Sequence, residues 1–189
     1  MQKSLSIYNF QPNETIASIG ASSGVWEIWF ASQVEDLTFY LQDIDVQNCN
    51  QAEINEGIRY FEKLVGKKNT GKFIPIIGTP SATNLPKNTF DKVLIINSLH
   101  EFETPEIILC DIQKILKSNG KLFIEEQTAK FSGEIHEGCG KRLFTENELV
   151  NILSNCGFQV IETYFKDDGV VVFEFNNLLK TPRNNLCVG

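Results

Sequence analysis

Apolar runs typical of buried strands alternate with helical segments along most of this 189-residue chain. The apolar runs predict strands at residues 15–19, 37–42, 72–78, 90–97, 121–127, 158–165 and 170–175. The segments between them place apolar residues at helical spacing and predict helices over 25–33, 51–66, 104–120 and 145–157. Because strands that alternate with helices pair mostly in parallel, this order predicts a Rossmann-like α/β fold, a seven-stranded sheet with helices on both faces.

Two local signals refine this sheet. Pro75 lies inside the third predicted strand, and because proline cannot donate to a strand ladder, it indicates an edge position. The last two predicted strands are joined by the short turn 166–169, which predicts a C-terminal antiparallel hairpin. We expect a single domain over residues 1–189, with a core of about 15–176 and a polar tail over 177–189.

The loop Gly20-Ala21-Ser22-Ser23-Gly24, which we call the glycine loop, follows the first predicted strand. Ligands of such sheets bind at the carboxyl ends of the strands, so this loop is the candidate ligand site. Its sequence also matches G-x-S-x-G, the elbow that exposes a nucleophilic serine in hydrolases. That chemistry needs a histidine base and an oxyanion loop from an earlier strand. The chain has only His100 and His136, and no such loop precedes Gly20, which argues against a hydrolase.

A dinucleotide-binding fold is a second interpretation of the same loop. Its G-x-G-x-x-G pattern, begun at Gly20, would place the later glycines on Ser22 and Val25. Neither is a glycine. The interpretation then depends on Asp43 alone, which closes the second predicted strand where an acid could bind a ribose.

Five segments, in this order and with these gaps, resemble the class I S-adenosylmethionine (SAM)-dependent methyltransferases over nearly the whole chain, from about Thr15 to Phe175. The segments are TIASIGASSGVWEIWFA, YLQDID, NLPKNTFDKVLIINSLHEF, DIQKILKSNGKLFIEE and LFTENELVNILSNCGFQVIET. They are similar to that family's first motif, the acidic end of its second strand, its fourth-strand segment, its turn into the fifth strand and its late helix with the following strand.

The resemblance implies SAM as cofactor and methyl transfer to an acceptor, which we expect to be a small molecule. It implies a cofactor cleft formed by Gly20, Ala21, Ser22, Gly24, Asp43, Ser81, Ala82 and Asn97. In that cleft Asp43 would accept hydrogen bonds from the ribose hydroxyls, and backbone N–H groups of the loop would suit an anion. Asn97 would lie over the loop near the methionine end, and the segment 79–84 would border the adenine.

Two departures from the family pattern motivate an alternative, a non-catalytic SAM-binding or regulatory protein. Ser18 stands where the family's first strand usually carries an acid, and the segment 79–84 has no acid to bind the adenine amino group. The acceptor is expected against the long connection 128–144. His136, Glu125 and Glu126 are candidate bases there, and no catalytic residue is assigned beyond these candidates.

Composition limits the partners. A net charge of −7 argues against nucleic acid, and no apolar stretch approaches the length of a membrane span. Five cysteines without a C-x-x-C pair argue against a disulfide framework or a zinc cage, so we expect no metal, reduced thiols and a cytoplasmic location. We expect Trp26, Trp29 and Phe30 to be core residues and His100 to be structural.

Overall fold

The computed structural model describes residues 1–166 and 169–178, which form one seven-stranded sheet in the order β3-β2-β1-β4-β5-β7-β6. The strands are β1 Thr15–Ile19, β2 Thr38–Asp43, β3 Lys72–Ile77, β4 Phe90–Ile96, β5 Leu116–Gln127, β6 Phe158–Phe165 and β7 Val170–Asn177. The first five strands pair in parallel, whereas β7 runs antiparallel to both β5 and β6. The predicted fold class and hairpin are therefore confirmed.

Strand order reverses between β1 and β4, which lie side by side although two strands separate them in sequence. The carboxyl ends of β1, β2 and β4 therefore open onto one crevice, and the glycine loop leaves β1 at this point. Pro75 lies in β3, which is an edge strand of the sheet, as predicted. An edge strand pairs on one side only, so the missing N–H of Pro75 is tolerated there more easily than in a central strand.

Helices cover both faces of the sheet. They are α1 Gln2–Tyr8, α2 Val25–Gln33, α3 Gln51–Val65, α4 Pro105–Ile115 and α5 Glu146–Asn155. Helix α3 begins at Asn50, whose side chain accepts hydrogen bonds from the backbone N–H groups of Ala52 and Glu53. Helix α5 begins with a capping box between Thr145 and Glu148. Such caps satisfy amides that the first turn of a helix leaves unpaired.

Each face of the sheet has its own apolar core. One core packs α4 and α5 against the sheet, and the other packs α1, α2 and α3. The second core is aromatic, with the ring of Tyr8 5.5 Å from that of Phe30 and 5.2 Å from that of Phe123. Phe30 is fully buried, and Trp26 and Trp29 pack partly buried against the same core, as expected.

Two elements differ from the sequence-based expectations. Helix α4 ends at Ile115 rather than at residue 120, and β5 begins at Leu116 rather than at residue 121. The cause is tertiary pairing, because Leu116 lies opposite Phe90 at the start of β4 and the N–H of Thr89 donates to the carbonyl of Ile115. Helix α1 was not predicted, and its Ser4 and Tyr8 are buried.

Three remaining expectations concern the polar tail, the cysteines and membrane-spanning segments. Asp167, Asp168 and the tail from residue 179 onward lie outside the described residues. Cys49, Cys139 and Cys156 are free, whereas Cys110 is disulfide-bonded, so the expectation of reduced thiols is wrong for that residue. Within the described ranges, no helix has the length and apolar character needed to cross a membrane.

Candidate functional site

A cavity of about 640 Å³ lies at the carboxyl ends of β1, β2 and β4, within the size range of small-molecule and cofactor sites. It is lined by Ile19, Gly20, Ser22, Gln42, Asp43, Ile44, Asp45, Thr79, Pro80, Asn97, Ser98, Glu101, Phe102, Glu103, Ile108 and Lys141. Of the predicted cofactor residues, Gly20, Ser22, Asp43 and Asn97 line this one space. They come from three strand ends that are far apart in sequence.

A second cavity, of about 620 Å³, lies at the opposite edge of the sheet, near the amino ends of β1 and β4. Two charged residues that line it, Lys92 and Glu14, pair with each other at 2.5 Å. Parallel sheets bind ligands at the carboxyl ends of their strands, so the cavity beside the glycine loop is the candidate site.

The glycine loop can adopt its shape only because its first and last residues lack a side chain. Gly20 and Gly24 have φ angles of 70° and 73°, in the left-handed region. A Cβ on Gly20 would lie 2.6 Å from Ser98 Oγ, and one on Gly24 would overlap Leu41. Ser22 also has a positive φ, 49°, which costs a non-glycine residue about 1 kcal/mol. Both glycines are therefore required by close packing as well as by backbone conformation.

The carboxylate of Asp43 holds the glycine loop. Its Oδ2 accepts a hydrogen bond of 2.8 Å from the N–H of Ser22, and its Oδ1 accepts one of 3.0 Å from the N–H of Asp45. Each carboxylate oxygen can accept two hydrogen bonds, so Asp43 keeps acceptor capacity toward the cavity. It lines the cavity and links the ends of β1 and β2.

The backbone amides of the loop are used within the protein. The N–H groups of Gly20 and Ala21 both donate to the carbonyl of Gln42, at 2.8 and 3.0 Å, and that of Gly24 donates to Ala21. The N–H of Ser22 donates to Asp43. These bonds fix the loop as a rigid wall of the cavity, and they commit the amides of Gly20, Ala21, Ser22 and Gly24 to partners within the protein.

The end of β4 closes over the glycine loop. Asn97 has a φ of 49° and donates its N–H to the carbonyl of Glu125 at 2.7 Å, while its side chain is exposed at the cavity. Ser98 Oγ donates to the carbonyl of Ile19 at 3.1 Å. A left-handed asparagine at a strand end is a strained conformation of the kind that functional sites retain.

The segment after β3 forms a tight turn at the other side of the cavity. Thr79 and Ala82 exchange backbone hydrogen bonds of 2.8 and 3.3 Å across this turn. Thr79 and Pro80 line the cavity, whereas Ser81 and Ala82 are not among its lining residues. Thr79 is therefore the hydroxyl-bearing residue of this turn that lines the cavity.

A buried acid lies beside Ser18, where the first strand lacks the expected carboxylate. Glu27 Oε1, from α2, accepts a hydrogen bond of 2.6 Å from Ser18 Oγ. Within the part of the chain that the structure describes, its Oε2 is buried without a hydrogen-bond partner, and burial raises the pKa of Glu27 to about 7. Sequence reasoning missed this pair, although an acid inside the apolar helix VWEIWFASQ was a signal that could have revealed it.

The candidate bases Glu125 and Glu126 are both buried and already paired. Glu125 accepts hydrogen bonds from the Tyr8 hydroxyl at 2.7 Å and from Lys166 Nζ at 2.5 Å. Glu126 accepts from the N–H of Leu99 at 2.6 Å and contacts His100 Nδ1 at 2.7 Å. Neither lines the cavity. Both carboxylates therefore bind neighbouring protein groups.

The His100 imidazole is buried in a one-turn 3-10 helix, Leu99–Glu101, that follows β4. Its hydrogen bond to Glu126 raises the pKa of His100 to about 9, against the lowering effect of burial. The ring of His136 lies 5.0 Å from that of His100. The connection 128–144 thus reaches the end of β4, and its Lys141 lines the cavity.

The connection 128–144 has an internal backbone structure. The N–H of Ala129 donates to Phe144, and that of His136 donates to Lys141, both at 2.8 Å. An isolated bridge also joins Ile135 and Arg142. The connection therefore folds back on itself beside the open end of the cavity.

Comparison with known proteins shows which protein family matches this chain. Residues 18–124 match a family model described as a methyltransferase domain. No curated protein sequence matches the chain.

Solved structures with the same fold include a SAM-dependent methyltransferase from Aquifex aeolicus, at 19% identity and a TM-score of 0.71, covering 92% of this chain and 87% of that one. A SAM-dependent methyltransferase from Methanosarcina mazei is similar at 18% identity and a TM-score of 0.70, covering 93% and 98%. A third is the 1,6-didemethyltoxoflavin-N1-methyltransferase of Burkholderia thailandensis, with 1,6-didemethyltoxoflavin and S-adenosylhomocysteine bound. It shares 18% identity and a TM-score of 0.65, covering 93% and 75%.

Proposed function

The chain belongs to the class I SAM-dependent methyltransferase family, and we propose that it transfers the methyl group of SAM to a small-molecule acceptor. One observation carries the proposal: the glycine loop, Asp43 and Asn97 meet around a single cavity of cofactor size at the strand-order reversal. A hydrolase or a dinucleotide-binding protein is not supported, because the family match includes the loop that those interpretations relied on.

We assign the cofactor to the cavity as follows. The glycine loop, Gly20 to Gly24, forms the wall against which the methionine part of SAM packs, and Asn97 faces it from β4. Asp43 accepts hydrogen bonds from the ribose hydroxyls with its remaining lone pairs. The turn that contains Ser81 and Ala82 borders the adenine, with Thr79 as its polar group toward the cavity.

The acceptor end lies where the 3-10 helix after β4 meets the connection 128–144. Glu101, Phe102, Glu103 and Lys141 line the cavity there and combine one aromatic ring with charges of both signs. Such a set suits a compact polar molecule with an apolar body. The net charge of −7 supports this class of acceptor over a nucleic acid. The Burkholderia methyltransferase of the same fold holds a small molecule in its structure.

Bound SAM supplies a methyl carbon activated by the adjacent sulfonium. The task of this chain is to align an acceptor atom with that carbon and to exclude water, and positioning alone can supply much of the rate. Glu125 and Glu126 are committed to Tyr8, Lys166 and His100, so His136 is the remaining candidate base as long as its imidazole binds no metal.

The alternative is a SAM-binding or regulatory protein without catalysis. Ser18 and the uncharged turn after β3 motivated it. Glu27 is bonded to Ser18, but neither residue lines the cavity, so the pair does not replace an acid that contacts the cofactor. The uncharged turn still favours weak adenine binding, so a test must separate binding from transfer.

Calorimetric titration with SAM and S-adenosylhomocysteine tests the binding step. We expect both to bind, and we expect Asp43→Ala to weaken binding by about 10- to 100-fold, since one charge-assisted hydrogen bond is worth about 1.5–3 kcal/mol. Glu56→Ala is the matched control. Glu56 is an exposed acid on α3, so this variant should bind SAM with the affinity of the wild type. Equal affinity of Asp43→Ala and the wild type would overturn the ribose assignment.

Incubation with methyl-labelled SAM and a fractionated cell extract tests the transfer step. We expect protein-dependent label in the small-molecule filtrate. Label confined to the macromolecular fraction would contradict a small-molecule acceptor. Binding of SAM without label in either fraction would favour the non-catalytic alternative.

We also propose a cytoplasmic location. The free thiols of Cys49, Cys139 and Cys156 support it, and the disulfide-bonded Cys110 does not. Thiol alkylation of protein taken directly from cells would test it, with reduced thiols at Cys49, Cys139 and Cys156 as the expected result.

A further inference from the structure

Three side chains with metal-binding atoms meet beside the candidate cavity, where the sequence predicted no metal. The ligand atoms of His100, His136 and Cys139 all lie within 4.8 Å of one another. His136 Nδ1 and Cys139 Sγ are 3.1 Å apart. In a tetrahedral zinc site, bond lengths of about 2.0–2.3 Å place neighbouring ligand atoms roughly 3.3–3.7 Å apart. The three groups are thus close to the spacing that zinc requires.

The buried imidazole of His100 points independently to a missing ligand. Its side chain has 0% exposure, and its Nδ1 is held by Glu126 Oε2 at 2.7 Å. Its Nε2 is buried and has no hydrogen-bond partner among the described residues. Buried polar atoms are almost always satisfied, so an unpartnered imidazole nitrogen beside His136 and Cys139 is an observation that a bound ion would explain.

The pairing of Glu126 with His100 is the arrangement found behind metal-binding histidines. A carboxylate that accepts a hydrogen bond from the Nδ1–H group fixes the tautomer of the imidazole and leaves the lone pair of Nε2 directed at the metal. Glu126 is itself fixed, because its other oxygen accepts from the N–H of Leu99 at 2.6 Å. The fold therefore orients His100 rigidly, while His136 and Cys139 come from the connection 128–144.

We propose that His100, His136 and Cys139 bind a zinc ion through two imidazole nitrogens and one thiolate, with a fourth position open toward the acceptor end of the cavity. Imidazole and thiolate ligands favour zinc over magnesium or calcium, which prefer oxygen ligands. Three protein ligands with one open position are typical of zinc sites that bind a substrate or water.

Glu101 indicates where the open fourth coordination position of the zinc ion lies. Its Oε1 lies 3.9 Å from His100 Nε2, and the same residue lines the cavity. A zinc ion bound to His100 would therefore lie at the border of the cavity. There it would coordinate a thiol, hydroxyl or carboxylate of the acceptor. This last role rests on the proposed function, whereas zinc binding itself does not.

Zinc titration of the metal-free full-length protein, without SAM, tests the proposal. We expect one zinc ion per chain and expect Co²⁺ in its place to show thiolate-to-metal absorption. Cys139→Ser should abolish this absorption and the stoichiometric binding. Cys139 is exposed, so the substitution should leave the fold intact. Glu137→Gln, an exposed change in the same connection, is the matched control and should bind zinc as the wild type does.

Glu126→Gln tests the positioning role, and we expect it to weaken zinc binding by about 10- to 100-fold. Less than one zinc ion per chain, or unchanged binding by Cys139→Ser, would overturn the proposal. Calorimetry with S-adenosylhomocysteine on the same metal-free protein separates the two claims. Retained cofactor binding without zinc binding would refute only the zinc site.

Discussion

Substitution of Gly20 by alanine should destabilise the protein through two separable causes. The first is backbone conformation, because Gly20 has a φ of 70°, where an alanine costs about 1–2 kcal/mol. The second is crowding. The new Cβ would lie 2.6 Å from Ser98 Oγ and 2.7 Å from Ser98 Cβ, and Ser98 is itself bonded to the carbonyl of Ile19. Overpacking of this kind costs about 1–3 kcal/mol.

Gly66 offers a matched control for the backbone cost. It has a φ of 73° and ends α3, and a Cβ there would meet no atom of the described residues within 4 Å. Gly66→Ala should therefore lose only about 1–2 kcal/mol, whereas Gly20→Ala should lose about 2–5 kcal/mol. The difference between the two variants isolates the crowding against Ser98.

Urea unfolding of both variants measures these free energies. A second variant, Gly20→Ala combined with Ser98→Gly, removes the crowding and should recover part of the loss. Gly20→Ala should also weaken SAM binding, because displacement of Ser98 moves the end of β4 against the loop. If Gly20→Ala is no less stable than Gly66→Ala, the close contact between the loop and β4 does not exist as described.

Two further predictions concern Glu27 and Asn97. The pKa of Glu27 is raised from 4.5 to about 7, so the unfolded chain releases this proton first and stability should fall by about 3 kcal/mol between pH 4.5 and 7. Glu27→Gln should remove that fall, which urea unfolding at several pH values measures. If the variant and the wild type lose stability in parallel as the pH rises, the assignment of the pH dependence to Glu27 is wrong. Asn97→Gly should relieve a φ of 49° and raise stability by up to about 1 kcal/mol while weakening SAM binding. Asn88→Gly, at a φ of 50° on the surface, should raise stability alone, and equal effects on binding would refute a role for Asn97.

The sheet could be predicted from sequence because its signals are local. Apolar runs between helical segments gave all seven strands, Pro75 marked an edge strand, and the short turn after β6 indicated the hairpin. Each of these signals depends on residues that are close together in sequence. The glycine loop was likewise visible, since Gly20 and Gly24 directly follow the first strand.

The features that were missed depend on contacts between distant segments. Residues 116–120 contain Ser118, Asn119 and Gly120, which favour a turn, yet they extend β5 because Leu116 pairs with Phe90. An acid was expected at position 18, and the Ser18 that stands there is instead bonded to the buried Glu27 of α2. A helical spacing pattern does not show which partner a buried acid meets.

The metal-binding group shows the same limit. The spacing of His100, His136 and Cys139 matches no metal motif, because one ligand follows β4 and two lie in the connection 128–144. Only the fold brings them together. The Glu126 pairing that orients His100 was also invisible, since adjacent glutamates such as Glu125 and Glu126 face different partners.

A crystal structure of the protein with S-adenosylhomocysteine tests directly whether the cavity beside the glycine loop holds the cofactor. We predict that the ligand fills the cavity beside the glycine loop, with its ribose hydroxyls on Asp43, its methionine part between Gly20 and Asn97, and its sulfur toward Glu101 and Lys141. A ligand bound elsewhere, or an empty cavity at saturating concentration, would contradict it.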